Sequence, residues 1–146
     1  MNSLNISSVA VSATINYLKS IPALSQKTIV PEYDSNITPI AINDDPVISV
    51  GVEQFNAGPS LYTQNSTGHT VGQGTREYKL KMRIRFYVSF SNGAQRSFTA
   101  ADYVYTMLMS SNYDYQVSEI IMEDAEYDSQ TESIRLTTHF TVEGTF

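Results

Sequence analysis

Four cations alternate with apolar residues in the segment EYKLKMRIRFYVSF, residues 77 to 90. They are Lys79, Lys81, Arg83 and Arg85, with Arg76 just before the segment. Successive side chains of a β-strand point to opposite sides, so this spacing predicts a strand with one apolar face and one cationic face, on which neighbouring charges lie about 6 to 7 Å apart. Like charges on one face repel each other, so the row predicts an interface with an acidic surface or the wall of a solvent-filled lumen.

Acidic residues concentrate in a second segment, residues 119 to 132, which contains no cation. Its members include Glu119, Glu123, Asp124, Glu126 and Asp128. The last three match the first ligands of an EF-hand loop, but Ser129 replaces the required glycine and Arg135 the final glutamate, which excludes calcium binding by that motif. No apolar surroundings separate the pKa values of two of these carboxyls, as acid–base catalysis requires. We therefore predict an acidic interface.

Other motifs of catalysis and cofactor binding are incomplete. His69 and His139 are not spaced to share a metal on one element, and each is predicted to be solvated. The glycines at 58 and at 72 to 74 lack the partners that a nucleophile elbow or a phosphate-binding loop requires. The sequence therefore predicts no enzymatic activity, no metal and no cofactor.

The charge of the chain is unevenly distributed. The net charge is -6, yet residues 76 to 85 carry a net +4 and residues 119 to 132 a net -6. Opposite patches on one small molecule allow head-to-tail contacts between copies. Alternatively, the basic strand and the acidic segment are neighbours in one sheet and neutralise each other. The sequence leaves both interpretations open.

Two further interpretations of the cation row remain. Phosphates bind such rows, and Tyr87 on the same face is a candidate stacking platform for a base, although a pI of about 4.7 opposes a polyanion at long range. Charged residues on a strand also block unwanted edge pairing. A nucleic-acid-binding module is thus an alternative hypothesis.

Length and composition favour one soluble domain covering residues 1–146. The chain has no cysteine, which is typical of a reducing cytoplasm or of a particle assembled there. No basic residue precedes the first apolar residues, so no signal peptide is predicted, and no apolar run is long enough for a membrane span.

Periodicity predicts an α+β fold. Helices are expected at 5–19 and 98–110, the second capped by Ser97 or Thr99, and strands at 26–30, 47–55 and 78–90. Residues 115–127 and 133–143 predict a hairpin whose first strand has a bulge. We expect an antiparallel sheet of four to five strands with both helices packed on one face.

Residues 56–76 show no period and are rich in Gly, Ser, Thr, Asn and Gln. They predict a long loop or hairpin arm between two antiparallel strands, mobile in the isolated subunit because few apolar groups offset the entropy of ordering it. Its candidate docking residues are Leu61, Tyr62, His69 and Val71.

The order of these elements resembles the tail-terminator (tail-completion) proteins of long-tailed bacteriophages and related contractile particles. The resemblance lies in an N-terminal helix, the strand VISVGVEQF, a polar insertion, the long strand YKLKMRIRFYVSF, the helix SFTAADYVYTMLMS, and the final strands ending in YDSQTESIRLTTHFTVEG. It covers most of the chain, most clearly residues 78–143.

The resemblance implies a structural virion protein, assembled in the cytoplasm of a bacterial host and located in the tail or neck. Six copies would form a ring that docks on the tail tube, ends its polymerisation and offers a surface to the head–tail connector. Its partners would be further copies of itself, the tube protein, the sheath of a contractile tail and the connector, with DNA passing through the lumen without sequence-specific recognition. A different neck or connector subunit is the alternative that this resemblance leaves open.

Overall fold

A computed structural model describes residues 6–32, 46–64, 70–89, 95–129 and 133–145. For residues 59–64, 70–76, 89, 95 and 96 it describes the backbone. The elements, in chain order, are α1 (Ile6–Lys19), β1 (Ile29–Pro31), β2 (Val47–Gln64), β3 (Thr70–Ser89), α2 (Gln95–Leu108), β4 (Gln116–Met122), β5 (Glu126–Asp128) and β6 (Ser133–Thr145). The α+β class and the two helices match the prediction.

The strands form one six-stranded sheet in the order β1-β2-β3-β6-β4, with β5 also paired to β6. The prediction of four to five antiparallel strands was wrong in two respects. The predicted hairpin strand 115–127 is divided into β4 and β5, and β1 runs parallel to β2, pairing Ile29 with Ile48. A strand of three residues carries too little pattern to show its direction, and the connection at 32–46 has the length that a parallel crossover needs. The predicted bulge is confirmed, since the β4–β6 register shifts between Val117 and Glu119.

The alternation in β3 produces the expected two-faced strand. Its even-numbered residues Tyr78, Leu80, Met82, Ile84, Phe86 and Val88 are all buried. All of them except Val88 join residues of both helices in one hydrophobic core. Helix α1 contacts β1 and β2, and α2 contacts β3 and β6, so both helices pack on the same face. The odd-numbered residues of β3 therefore lie on the helix-free face.

The two helices are joined by polar contacts as well as by apolar packing. Thr14 Oγ1 and Tyr113 Oη share a buried hydrogen bond of 2.8 Å, and the Tyr17 hydroxyl donates to the Met107 carbonyl at 2.6 Å. The rings of Tyr17 and Tyr113 are 5.0 Å apart. These contacts fix α1 beside the C-terminal end of α2.

The surface that α2 buries differs from the apolar stripe that helical periodicity predicts, which consists of Phe98, Ala101, Val104, Tyr105, Leu108 and Met109. Ser97, Ala100, Ala101, Val104 and Leu108 are buried, whereas Phe98, Tyr105 and Met109 are exposed by 37%, 45% and 59%. The helix begins at Gln95, so Ser97 lies in its first turn and Thr99 in its second, and neither is the predicted cap. Placing small residues against the sheet brings the helix backbone close to β3 and leaves the larger side chains on an outer flank.

We expect stability to fall in alkaline solution because of Tyr113. Burial raises the pKa of its phenol above the ordinary value of 10.0, and the hydrogen bond to Thr14 offsets this only in part. Tyrosine in the unfolded chain loses its proton above pH 10, whereas the folded chain keeps it. This contribution is therefore complete below pH 10 and is lost as the pH rises towards the folded-state pKa, at about 1.4 kcal/mol per pH unit.

Urea unfolding on both sides of pH 10 measures this loss. Tyr113→Phe has no phenol to ionise and should show a correspondingly smaller alkaline loss. Equal alkaline losses in the two proteins would show that Tyr113 does not cause the effect.

Candidate functional site

The helix-free face of the sheet brings three neighbouring strands together around the predicted cations. Arg83 lies between Gly51 of β2 and His139 of β6, and Lys81 lies between Gln54 and Thr141. Directly opposed residues of neighbouring strands share a face. The register thus places the cations of β3 in the middle of this face.

Glu32, the residue after β1, binds two of these cations. Arg83 Nε donates to Glu32 Oε2 at 2.7 Å, and Arg83 Nη2 lies 2.6 Å from Oε1. Arg85 Nη1 donates to the same Oε1 at 3.0 Å. The Glu32 side chain is only 5% exposed, and those of Arg83 and Arg85 are 17% and 21% exposed. We call these three residues the Glu32 cluster.

Gly51 makes the Glu32 cluster possible. Glu32 must cross β2 to reach β3, and its side chain lies directly over Gly51. A Cβ atom at position 51 would lie 2.7 Å from the Cβ of Glu32 and would overlap its carboxylate. The backbone of Glu32 is held in place by a hydrogen bond of 2.7 Å from its N–H to the Val50 carbonyl. The only sequence signal for the cluster is a glycine inside a strand pattern, which marks the close approach of another group.

Lys79 and Lys81, the other two cations of the row, are more exposed to solvent. Lys79 Nζ lies 3.5 Å from Glu143 Oε1, and the side chains are 67% and 37% exposed. Lys81 is exposed and, among the described residues, has no carboxylate within ion-pair distance. Tyr87, the predicted stacking platform, is buried, with an exposed fraction of 6%. The face is therefore not the continuous row of free cations that the sequence predicted.

Replacing Lys81 with glutamine is expected to change the free energy of unfolding by no more than about 0.5 kcal/mol, since an exposed side chain without an ion pair contributes little. Denaturant unfolding of the variant and of the wild type measures this change in the free energy of unfolding. A loss several times larger would mean that Lys81 pairs with a carboxylate in solution.

His139 lies between two carboxylates instead of being simply solvated, as the sequence suggested. Its Nδ1 contacts Glu53 Oε1 from the bulge of β2, and its Nε2 lies 2.6 Å from Glu123 Oε1, just beyond β4. Nε2 has no well-aligned hydrogen-bond acceptor among the described residues, so the Glu123 contact is a close approach that becomes an ion pair only when the imidazole is protonated. A protonated imidazole on β6 would therefore link β2, through Glu53, to the end of β4, through Glu123.

This group does not resemble a metal site. The imidazole separates Glu53 from Glu123, so the two carboxylates cannot converge on a metal bound to one ring nitrogen. Within the residues that the structure describes, no group of three or more His, Cys, Asp or Glu side chains is placed to hold a metal ion. The depression beside His139 has a volume of about 280 Å³ and is also lined by Lys81 and Glu119.

The described ion pairs of the acidic segment and of the cation row lead to other residues, because β6 lies between β3 and β4. Glu126 and Asp128 instead face Arg135 of β6, at 3.2 and 3.8 Å. Glu119 lies opposite Thr141, and Asp124 is exposed between β4 and β5. Charges of both segments are thus partly neutralised within the molecule. One of the two interpretations expected the segments to be neighbours that neutralise each other, and the described ion pairs do not do so. The partners differ from that expectation, since Glu32, Glu143 and Arg135 lie outside both charged segments.

Of the two forms predicted for residues 56–76, a long loop or a hairpin arm, the structure shows the hairpin arm, since residues 56–64 and 70–76 form a two-stranded antiparallel ribbon. Leu61, Tyr62 and Val71 lie in its strands, and the pairs include Leu61 with Thr75 and Thr63 with Val71. Backbone hydrogen bonds form such a ribbon without the apolar alternation that strand recognition needs. Arg76 is in the same ribbon, opposite Ser60, and His69 lies outside the described residues.

Neither helix within the described ranges has the length and apolar character needed to cross a membrane. A scan against protein-family models finds no match to the chain, and a search of curated proteins finds no significant relative. The likeness to tail-terminator proteins therefore depends on the order and pattern of the elements alone.

Proposed function

We propose that this protein is a structural virion component that forms a ring on the end of a phage tail tube, stops tube polymerisation and provides the surface to which the head joins. The proposal is supported by the resemblance in element order and by an α+β fold with two helices on one face of the sheet. In this function no bond is made or broken. The requirement is a set of surfaces that accept copies of the chain and one tube end.

The observation that carries the proposal is the ribbon formed by β2 and β3 beyond the body of the sheet. The strand β6 pairs with β3 only as far as Glu77, and β1 pairs only with Ile48 to Val50 of β2. Among the described strands, residues 58–64 and 70–76 consequently pair with each other alone. We call this two-stranded extension the arm.

An isolated two-stranded ribbon is at best marginally stable in water, because it lacks a third strand or a packed face. The arm is therefore expected to bind a surface outside its own subunit. An assembly protein that matches neighbouring copies and a tube end has such surfaces, which a small solitary enzyme or binding domain does not require.

The outer side of the helices also suits contact with another protein. The sequences of α1 and α2 contain only three charged residues, Lys19, Arg96 and Asp102. Large apolar side chains are exposed there instead, at Val9, Phe98, Tyr103, Tyr105 and Met109. Exposed apolar patches with few charges are typical of protein interfaces.

The role of the cation row changes in this proposal. Glu32 occupies Arg83 and Arg85, so they are poorly placed to meet a tube, a neighbouring subunit or phosphates. Lys79 and Lys81 remain as surface charges, and single exposed pairs contribute only about 0 to 1 kcal/mol each. Shape and backbone pairing by the arm, repeated around a ring, are therefore the main source of affinity in the proposed assembly.

Deleting the coding sequence from the phage or prophage genome that carries it tests the function. Without the protein, electron microscopy should show tails of abnormal length that do not join heads, and wild-type protein supplied from a plasmid should restore both properties. Normal, head-joined tails from the deletion strain would refute the proposal. Immunogold labelling of intact particles locates the protein, and label on the connector instead of the tail end would favour the neck-subunit alternative.

A further inference from the structure

Two free strand edges of matching length lie in different parts of this molecule. The first is the outer edge of β4, a strand of 7 residues that, among the described strands, pairs only with β6. The second is the stretch Thr70–Arg76 of β3, whose β6-facing edge has no partner among the described residues, because the β3–β6 pairing begins at Glu77. An unpaired edge presents free N–H and C=O groups that another strand can bind.

We propose that the outer edge of β4 in one copy pairs with the Thr70–Arg76 edge of the arm in the next copy, so that copies join head to tail. This inference rests on the proposed ring and identifies the contact that would build it. The neighbour's β4 would pair with residues 70–76 of β3, on the same edge that β6 occupies from Glu77 onwards. It would supply the third strand that the arm lacks.

The edge of β4 is unusually open to such pairing. Its residues alternate weakly in burial, and Ile121 and Met122 are exposed by 50% and 37%. The strand contains no proline and no lysine, the residues that commonly protect an exposed edge. An added strand would cover the backbone and part of these two side chains.

Charge disfavours pairing of β4 with its own copy. Glu119 is the central residue of the strand, so an antiparallel two-fold pairing about the centre would place two Glu119 side chains together. Directly opposed like charges destabilise a sheet. The segment Thr70–Arg76 has one charged residue, Arg76, and no acidic one, so it is the complementary partner on the same chain.

The other strand of the arm is a poorer partner. The β2 side contains Pro59, which has no N–H to donate to a neighbouring strand. The sequence TVGQGTR of the β3 side has no proline. A contact between two different edges is heterologous, and such contacts close into rings when the rotation between copies permits.

The absence of cysteine from the chain allows a direct test by disulfide trapping. Ser118→Cys places a thiol in the middle of β4, and Val71→Cys, Gln73→Cys or Thr75→Cys places a second one along the arm. A disulfide forms only when the two Cα atoms approach within about 7 Å. Far-ultraviolet circular dichroism and thermal unfolding of each variant verify that it remains folded.

Mild oxidation of the protein carrying Ser118→Cys and one arm cysteine should give a ladder of covalent multimers on non-reducing gels. Each single-cysteine variant should stay at background, and a mixture of the two single variants should stop at dimers. A matched control with Ser118→Cys and Ser60→Cys, on the β2 side of the arm, should remain close to background.

Efficient dimers from Ser118→Cys alone would overturn the proposal in favour of a two-fold contact. The absence of cross-links from every arm position would also overturn it, whatever the oligomeric state. Light scattering on the unmodified protein shows whether copies assemble at all, independently of which strand edges they use. Multimers without cross-links would refute the edge contact but retain a ring, while tail capping is decided independently by the genomic deletion.

Discussion

Replacing Glu32 with alanine is expected to lower the free energy of unfolding by about 3 kcal/mol, because it leaves the two guanidinium groups of Arg83 and Arg85 without their shared carboxylate. The Glu32 side chain is 5% exposed and receives both arginines within 3.0 Å. This loss is at the lower end of the range for breaking a buried ion pair, because the side chains of Arg83 and Arg85 are already 17% and 21% exposed. Water can therefore hydrate both guanidinium groups once the carboxylate is removed. Denaturant unfolding at neutral pH measures the loss.

Glu126→Ala is the matched control, since it also removes a glutamate that pairs with an arginine. Its partner is Arg135 at 3.2 Å, but the Glu126 side chain is 65% exposed. Exposed pairs contribute about 0 to 1 kcal/mol, so the loss should be several times smaller. Equal losses for the two substitutions would mean that the Glu32 cluster is not shielded from water in solution.

Gly51→Val is expected to cost a similar amount, about 3 kcal/mol, through the same cluster. Valine is favoured over glycine in a strand, so local propensity alone predicts a more stable protein. The new Cβ, however, would overlap the side chain of Glu32 and displace it from Arg83 and Arg85. Thermal and denaturant unfolding of the variant should therefore show a loss where propensity predicts a gain.

A double-mutant cycle isolates the mechanism. In a Glu32→Ala background, Gly51→Val should cost much less than in the wild type, because the charge contacts are already absent. Gly58→Val in the same strand is the positional control, since a Cβ there would come no closer than 3.3 Å to a neighbouring atom, the Glu77 carbonyl oxygen, and would not overlap a side chain. Additive losses at positions 32 and 51 would show that Gly51 acts independently of Glu32.

The Glu32 cluster also explains how so short a strand as β1 keeps its place. Three residue pairs attach β1 to β2. The carboxylate of Glu32 adds contacts that span β2 and reach β3, which fixes where the chain leaves the sheet edge. A buried charge network contributes specificity more reliably than net stability, since apolar residues of the same volume would often be as stable. We infer that the network selects the parallel register of β1.

Local residue patterns were enough to predict the two faces of β3, the approximate positions of both helices and the α+β class. These features depend on repeats of 2 or 3.6 residues, which neighbouring positions of the chain display directly. The flank of α2 was predicted less well, with Phe98, Tyr105 and Met109 exposed and not buried. A helical period shows which face of a helix is apolar, but the packing of the surrounding elements decides which residues of that face contact the sheet.

The partners of the charged side chains, in contrast, follow from the arrangement of the strands in the folded sheet. Glu32 lies 51 residues before Arg83 and 53 before Arg85, and it meets them because β1 is parallel to β2 and Gly51 leaves space. His139 meets Glu53 and Glu123 through the β2 bulge and the β4–β6 pairing. A charge pair depends on strand order, direction and register, which no local repeat encodes. The apolar pattern could therefore be predicted from the sequence, whereas the electrostatic partners depend on the assembled sheet.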